Sequence, residues 1–172
     1  MGGPMLRPAR VQDLRTICTL EQQQFPGLSW SYVTLRQLFD LHGSHWVVAD
    51  VDGGVRGYAL VGIGGAQRGW VLGLAVDSEY RGRGIARALL EQAVTNCRAA
   101  LVDSVYITVR PTNQAATNLY KKAGFTRISH ETQYFGAEEP RDVLVRRITH
   151  GPRTIADPDD QRWIKRLRDP GW

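Results

Sequence analysis

The stretch "RGRGIA", residues 81–86, sets two glycines and two arginines immediately ahead of a helix-favouring run, "IARALLEQAV". The first backbone amides of a helix lack an intrahelical partner and lie at its partly positive end. Gly82 and Gly84 let the backbone approach a ligand closely, so that several amides can converge on one anion. Arg81, Arg83 and Arg87 add positive charge around that point. The chemistry that suits this arrangement is the holding of a phosphate or pyrophosphate. The spacing departs from the GxGxxG of dinucleotide folds, and no Gly-Lys-Ser/Thr follows as in a Walker loop. Taken alone, the six residues fit an ordinary glycine-rich strand-to-helix turn with solvated arginines equally well.

Such a loop needs a strand before it and a helix behind it. "WVLGLAV", residues 70–76, is a continuous apolar run, which predicts a strand buried on both faces. Ile85, Ala86, Leu89, Leu90 and Ala93 then recur at helical spacing. Upstream, "MLRPA" reads as a short strand limited by Pro8. Val11, Leu14, Ile17, Cys18 and Leu20 mark a helix that "FPG" ends. A second helix, capped by Ser29 or Ser31, runs through Val33, Leu35, Leu38 and Leu41. "HWVVAD" and "VRGYALVGI" read as strands joined by the hairpin residues "VDGG".

Downstream, "VYITVR" alternates as a strand and Pro111 ends it. Thr112 or Asn113 can cap a helix over Gln114–Lys122, with Gly124 at its C′ position. "FTRISHETQYF" and "VLVRRI" read as the last two strands, around the loop "GAEEPRD". The order β-α-α-β-β-β-α-β-α-β-β predicts an α/β domain built on a mixed sheet.

The 172 residues, 42% hydrophobic and 23% charged, suit one soluble domain with its own core. That domain is expected over residues 1–150. Residues 151–172 are expected to form a C-terminal tail with one short helix, Asp157 capping it and Pro158 at its first position. The longest apolar run is far shorter than the ~20 residues that cross a bilayer, so no membrane partner is expected. "MGGPMLRPAR" has no apolar core and does not read as a secretory signal. Cys18 and Cys97 are too few for a disulfide framework or a metal site, and a reducing, cytoplasmic compartment follows. The net charge of +5 is scattered rather than interleaved with aromatic side chains, which argues against nucleic acid and for a small anion.

A second stretch is more specific. "NQAATNLYKKAGF", residues 113–125, follows the pattern N-x-x-A-x-x-L-Y-x-x-x-G-F, and "LAVDSEYRGRGIARALL", residues 74–90, carries an R/Q-x-x-G-x-G/A loop after a strand. Together they resemble the GNAT superfamily of acetyl-CoA-dependent N-acetyltransferases, over roughly residues 5–148. The chain looks most similar to the ribosomal-protein-alanine type of protein N-terminal acetyltransferase, through "LRPARVQDLRTICTLEQQQFPGLSW" and "YFGAEEPRDVLVRRI". The resemblance implies a GNAT-like mixed, mostly antiparallel sheet of about seven strands flanked by four helices. It also implies acetyl-CoA as co-substrate, no metal, and a monomer or homodimer. The acceptor it implies is a peptide or protein N-terminus, or a small amine.

Residue by residue, the resemblance implies that the backbone of Leu74, Ala75 and Val76 pairs with the pantetheine arm like an added strand. The amides of Arg81, Gly82, Arg83, Gly84, Ile85 and Ala86 would hold the pyrophosphate. Asn113 would contact the cofactor arm, although as a bare residue it is a helix N-cap. Tyr120 would stand near the acetyl-CoA sulfur, where its phenol can give a proton to the departing thiolate. Without the motif it reads as a buried helix tyrosine with a satisfied hydroxyl.

The chain departs from the pattern at Thr108, where close relatives often carry Glu or His, and Thr is no base near neutral pH. Glu21, His45, His130, Glu131 and Tyr134 are then the candidate bases, acting directly or through water. Arg127, Arg141, Arg146 and Arg147 are candidates for an acceptor site, and Trp30 and Tyr134 fall where such enzymes place acceptor loops. An α-amine near pKa ~8 is already partly neutral and needs a strong base less than a lysine does. Two alternatives stand beside the N-terminal acceptor. One is acetylation of a small amine such as an antibiotic, polyamine or amino-acid derivative; the other is a domain that binds CoA without catalysis.

Overall fold

The computed structural model describes residues 3–150, so the expected tail helix lies outside the described residues. The elements follow in the order β1 (Met5–Pro8), α1 (Leu14–Gln24), α2 (Tyr32–His42), β2 (Val47–Val51), β3 (Gly54–Gly64), β4 (Arg68–Val76), α3 (Ile85–Ala99), β5 (Ser104–Val109), α4 (Gln114–Lys122), β6 (Thr126–Glu131) and β7 (Arg141–Arg147). The strands form one sheet in the order β1-β2-β3-β4-β5-β7-β6. Every neighbouring pair is antiparallel except β4 and β5. This is the mixed sheet that the element order predicts.

Local chemistry sets the boundaries. Of the two candidate serines, Ser31 caps α2, its hydroxyl accepting the Thr34 amide at 3.1 Å. Asp52 and Gly53, with φ of 51° and 81°, form the two-residue turn between β2 and β3, the geometry that matches strand twist. Asn113 Oδ1 accepts the Ala116 amide at 3.1 Å and starts α4. The strand expected over "FTRISHETQYF" stops at Glu131, because its partner β7 begins only at Arg141, opposite that residue. The chain between them is left as a loop carrying Tyr134 and Phe135.

Helices cover both faces. Leu89, Leu90, Ala93 and Val94 of α3 pack with Ala59, Val61, Val105 and Ile107 of the sheet. On the opposite face Leu14, Ile17 and Leu35 pack with Trp46, Tyr58 and Leu60. Beyond them, Tyr106 stacks on Trp70 with centroids 5.1 Å apart, beside Val143 and Val145.

β4 does not meet the expectation of burial on both faces: Leu72, Gly73 and Leu74 are only half-buried. Two features of the pairing explain this. Leu72 is an extra residue between the pairs Leu60–Gly73 and Val61–Val71, a β-bulge. The parallel pairing of β4 with β5 runs only from Arg68–Ser104 to Val71–Ile107, although both strands continue. Beyond Ile107 the two strands part, and a gap opens in the middle of the sheet.

Candidate active site

The gap leads into a cavity of about 670 Å³. Val71–Leu74 of β4 and Ile107–Val109 of β5 form its split floor, and Asn113, Ala116 and Tyr120 form one wall. Glu21, Gln24 and the segment 25–30 between α1 and α2 form the other, with Phe135 and Arg141 at the rim. The β5-facing edge of β4 past Val71 is unpaired by strand, so an extended chain can add to it.

At the end of β4, a 3-10 turn at Ser78–Tyr80 delivers the chain to the glycine loop. Gly82 and Gly84 adopt left-handed φ of 75° and 78°, and nothing lies within 4 Å of where a Cβ would stand on either. The first helical bond of α3 runs from the Ala88 amide to Gly84 O, at 3.1 Å. The amides of Ile85, Ala86 and Arg87 therefore have no intrahelical acceptor. Open space, left-handed glycines and orphan amides fit a pyrophosphate.

The arginines beside the loop have partners of their own. Arg81 Nε donates to Val76 O at 3.4 Å, and a terminal nitrogen donates to the Gln24 side chain. Arg83 donates to Glu79 O at 3.1 Å and lies 4.9 Å over the Tyr80 ring. Both guanidinium groups thus donate to neighbouring neutral acceptors while remaining exposed beside the loop. Arg87 is exposed and has no partner among the described residues.

Tyr120 is buried in the cavity wall, 7% exposed, and its hydroxyl makes no hydrogen bond among the described residues. Burial pushes its phenol up to about 12, keeping it protonated. Leu74, Asn113 and Thr108 line the same cavity. Ala75 and Val76 continue the β4 edge toward the glycine loop. Asn113 spends its carbonyl oxygen on the helix cap and keeps its amide hydrogens.

Of the five candidate bases, only Glu21 lines the cavity. His45 instead borders a shallow groove with Ser44 and Asn96, and burial holds its imidazole below the ordinary range. His130 is bound to Asp142 at 2.8 Å. Glu131 lies at the end of β6, and Tyr134 packs on Tyr106, Val143 and Val145. Of the four arginines, Arg141 reaches the rim, where it pairs with Glu139 at 3.0 Å. Arg127 pairs with Asp142 and Arg146 with Glu91, and Arg147 is the last residue of β7. Trp30 lines the cavity and also packs on the core of Leu14, Ile17 and Tyr58.

Two arrangements escaped the sequence reading. Arg110, just beyond β5, and Arg141, at the start of β7, grip one carboxylate, that of Glu139. Glu21 is bound to the Tyr58 hydroxyl and to the Trp30 amide. A signal for the second existed in Gly73, because a glycine inside a strand marks a bulge or a close approach.

The acetyltransferase (GNAT) family matches residues 14–125. An N-alpha-acetyltransferase from Sulfurisphaera tokodaii is 30% identical over 152 residues, covering 81% of this chain and 90% of that protein. The N-alpha-acetyltransferase RimI of Mycobacterium tuberculosis is 32% identical over 145 residues, covering 81% of this chain and 89% of its own. A mycothiol acetyltransferase from Propionibacterium freudenreichii is 32% identical over 102 residues, and there the chain spans only 29% of its relative's length. Among solved structures, Ard1 from Thermoplasma volcanium superposes with a TM-score of 0.80 at 21% identity, over 87% of this chain and 100% of that one. With the split sheet, the open glycine loop and these relatives together, the chain belongs to the acetyltransferase (GNAT) family and is an N-acetyltransferase.

Proposed function

We propose that the protein transfers an acetyl group from acetyl-CoA to the α-amine of a protein N-terminus. The observation that carries this reading is the continuous path from the Arg81–Ala86 loop, along the open edge of β4, to a cavity walled by Tyr120. The amides of Arg81, Gly82, Arg83, Gly84, Ile85 and Ala86 would hold the pyrophosphate, and Leu74, Ala75 and Val76 would pair with the pantetheine arm. Asn113 would donate its amide hydrogens to that arm. The co-substrate supplies an activated acetyl thioester. Tyr120 would give its proton to the departing sulfur, a thiolate being a base that a protonated phenol in reach can serve.

The acceptor reading is supported by relatives named for α-amine acetylation, among them the RimI protein above. It is supported too by the apolar entrance, where Phe25, Leu28 and Phe135 remain exposed beside the cavity. A small-amine acceptor is the second reading, since one relative is a mycothiol acetyltransferase. Among the described residues no helix is long and apolar enough to cross a membrane, and both cysteines are free and buried. A cytoplasmic enzyme suits that thiol state.

The test compares an N-terminal Ala or Ser peptide with the same peptide blocked at its α-amine and carrying a free lysine. A lysine near ~10.4 has about 10²-fold less neutral amine than an α-amine near ~8, worth about 3 kcal/mol at neutral pH. The α-amine peptide is expected to release CoA and the lysine peptide scarcely to do so. A faster lysine peptide would refute the N-terminal reading; reaction of small amines alone would establish the second.

A further inference from the structure

An amine that attacks a thioester must lose a proton, and β5 offers no receiver, since it lines the cavity with Ile107, Thr108 and Val109. Glu21 is the one carboxyl side chain on the cavity lining. It is 1% exposed and held in place from three directions. One oxygen accepts the Trp30 amide at 3.2 Å, and the other accepts the Tyr58 hydroxyl from β3. The third restraint is the β4 backbone, where a Cβ at Gly73 would lie 3.0 Å from Glu21 Oε1. The Trp30 indole reaches Leu72 O, at the bulge where β4 leaves β5. The carboxyl therefore crosses the α1 layer and ends against the strand that opens the gap.

No cation pairs with Glu21 among the described residues. Tyr58 from β3 binds it directly, and the titratable groups that share the cavity lining with it are Tyr120 from α4, Arg110 just beyond β5 and Arg141 from β7; β4 presents only Val71, Leu72, Gly73 and Leu74. Both arginines are already shared with Glu139. Burial raises the carboxyl above its ordinary range, against the opposing pull of the Tyr58 and Trp30 hydrogen bonds, and so toward the pH at which a base is effective.

We propose that Glu21 is the base that takes the acceptor amine's proton, oriented by Tyr58 and the Trp30 amide. It does from α1 what Thr108 of β5 cannot do. This rests on the acetyl-transfer reading above. The amine nitrogen bonds to the thioester carbonyl carbon, and its N–H proton passes to a free lone pair of the Glu21 carboxylate. The carbon–sulfur bond breaks with its electron pair on sulfur, which takes the Tyr120 proton. Glu21 then loses its proton to solvent and Tyr120 regains one, so the net transfer is one proton from amine to thiol.

The test uses the full chain, an N-terminal peptide, and initial rates across pH, with acetyl-CoA affinity by calorimetry and melting temperature as controls. Glu21→Gln keeps the shape and is expected to lower kcat about 10²-fold or more with affinity and melting unchanged. On the acid side, log(kcat/KM) should rise with slope two in the unmodified enzyme, because amine and Glu21 must each lose a proton. In Glu21→Gln the slope should be one. Tyr58→Phe removes a donor to the carboxylate, so the Glu21 limb should move to higher pH while the amine's limb stays. That shift remains readable even if Glu21→Gln fails to fold. A Glu21→Gln rate within threefold of the parent, an unchanged slope, or an unmoved limb in Tyr58→Phe overturns the assignment. An unmodified enzyme that acetylates only small amines refutes the acceptor reading instead, and the same slopes then decide Glu21 with that amine.

Discussion

Gly73 of β4 and Glu21 of α1 share one volume: a methyl group on residue 73 would lie 3.0 Å from Glu21 Oε1 and 3.4 Å from both Leu60 Cδ1 and Tyr58 Cε2. Gly73→Ala would gain about 0.4–1 kcal/mol from the unfolded chain but lose about 1–3 kcal/mol by overpacking a carboxyl already fixed by two hydrogen bonds. Overpacking wins. The variant is expected to melt below the parent and to acetylate more slowly. Gly64→Ala, where nothing lies within 4 Å, is the control and should leave both properties nearly unchanged. Equal melting temperatures for the two variants would show that Glu21 can move aside.

Tyr120→Phe isolates the proposed acid. The ring packs on Phe125 with centroids 6.2 Å apart, and the substitution keeps that contact. Since the hydroxyl has no protein partner among the described residues, its loss should leave stability intact. The expected change is a fall in kcat of about 10²–10⁴-fold, with acetyl-CoA affinity preserved. A fall below threefold would leave Tyr120 as a packing residue.

The order of elements was legible because each carried its own period or cap: the 3.6-residue stripe Ile85–Leu89–Leu90–Ala93, the Asn113 cap, the Asp52–Gly53 turn. Apolar runs report burial only as an average along a strand. "WVLGLAV" could not disclose that Leu72 bulges and that pairing with β5 ends at Ile107. That register is a property of two strands and of the space between them. The partners of the loop arginines were hidden for a related reason: a sequence shows that Arg81 and Arg83 flank the loop, but not that Val76 O, Gln24 and Glu79 O hold them. Glu21 was one of five acidic, imidazole or phenol candidates until tertiary structure brought it alone to the cavity.

Gly84→Asp tests the loop. The surroundings are open, but the left-handed φ of 78° strains any side chain, so even Asp, one of the residues that best tolerates this region, costs about 1–2 kcal/mol in folding. Its carboxylate would stand beside the amides of Ile85 and Ala86 and repel a pyrophosphate there. Calorimetry should show acetyl-CoA binding largely abolished while the circular dichroism spectrum stays that of the folded parent and the melting temperature falls by only several degrees. Unchanged affinity would mean that the pyrophosphate lies elsewhere.

Far from the cavity, Arg7 of β1 clamps Asp13 through two hydrogen bonds of 2.8 and 2.9 Å and Asp50 of β2 through a third of 3.1 Å. The Arg10 amide adds a bond of 2.7 Å to Asp13, which fastens the start of α1 to the edge of the sheet. Burial alone would raise the Asp13 carboxyl, but the Arg7 hydrogen bond, the Arg10 amide and the charges of both arginines outweigh it and hold it below the ordinary carboxylate range. A carboxyl lowered in the folded state contributes stability fully above its unfolded value, about 3.9, and loses it as pH falls through the folded value. At pH 7 Asp13→Asn should therefore cost about 1–3 kcal/mol, between an exposed and a fully buried ion pair. Below about pH 4 that contribution begins to fall, and it is gone once the pH lies below the lowered folded value, where the parent carries the proton too. The gap between the two melting temperatures should then close as the pH is lowered. A gap that stays constant down to acid pH would assign the cost of Asp13→Asn to lost packing rather than to the carboxylate's charge.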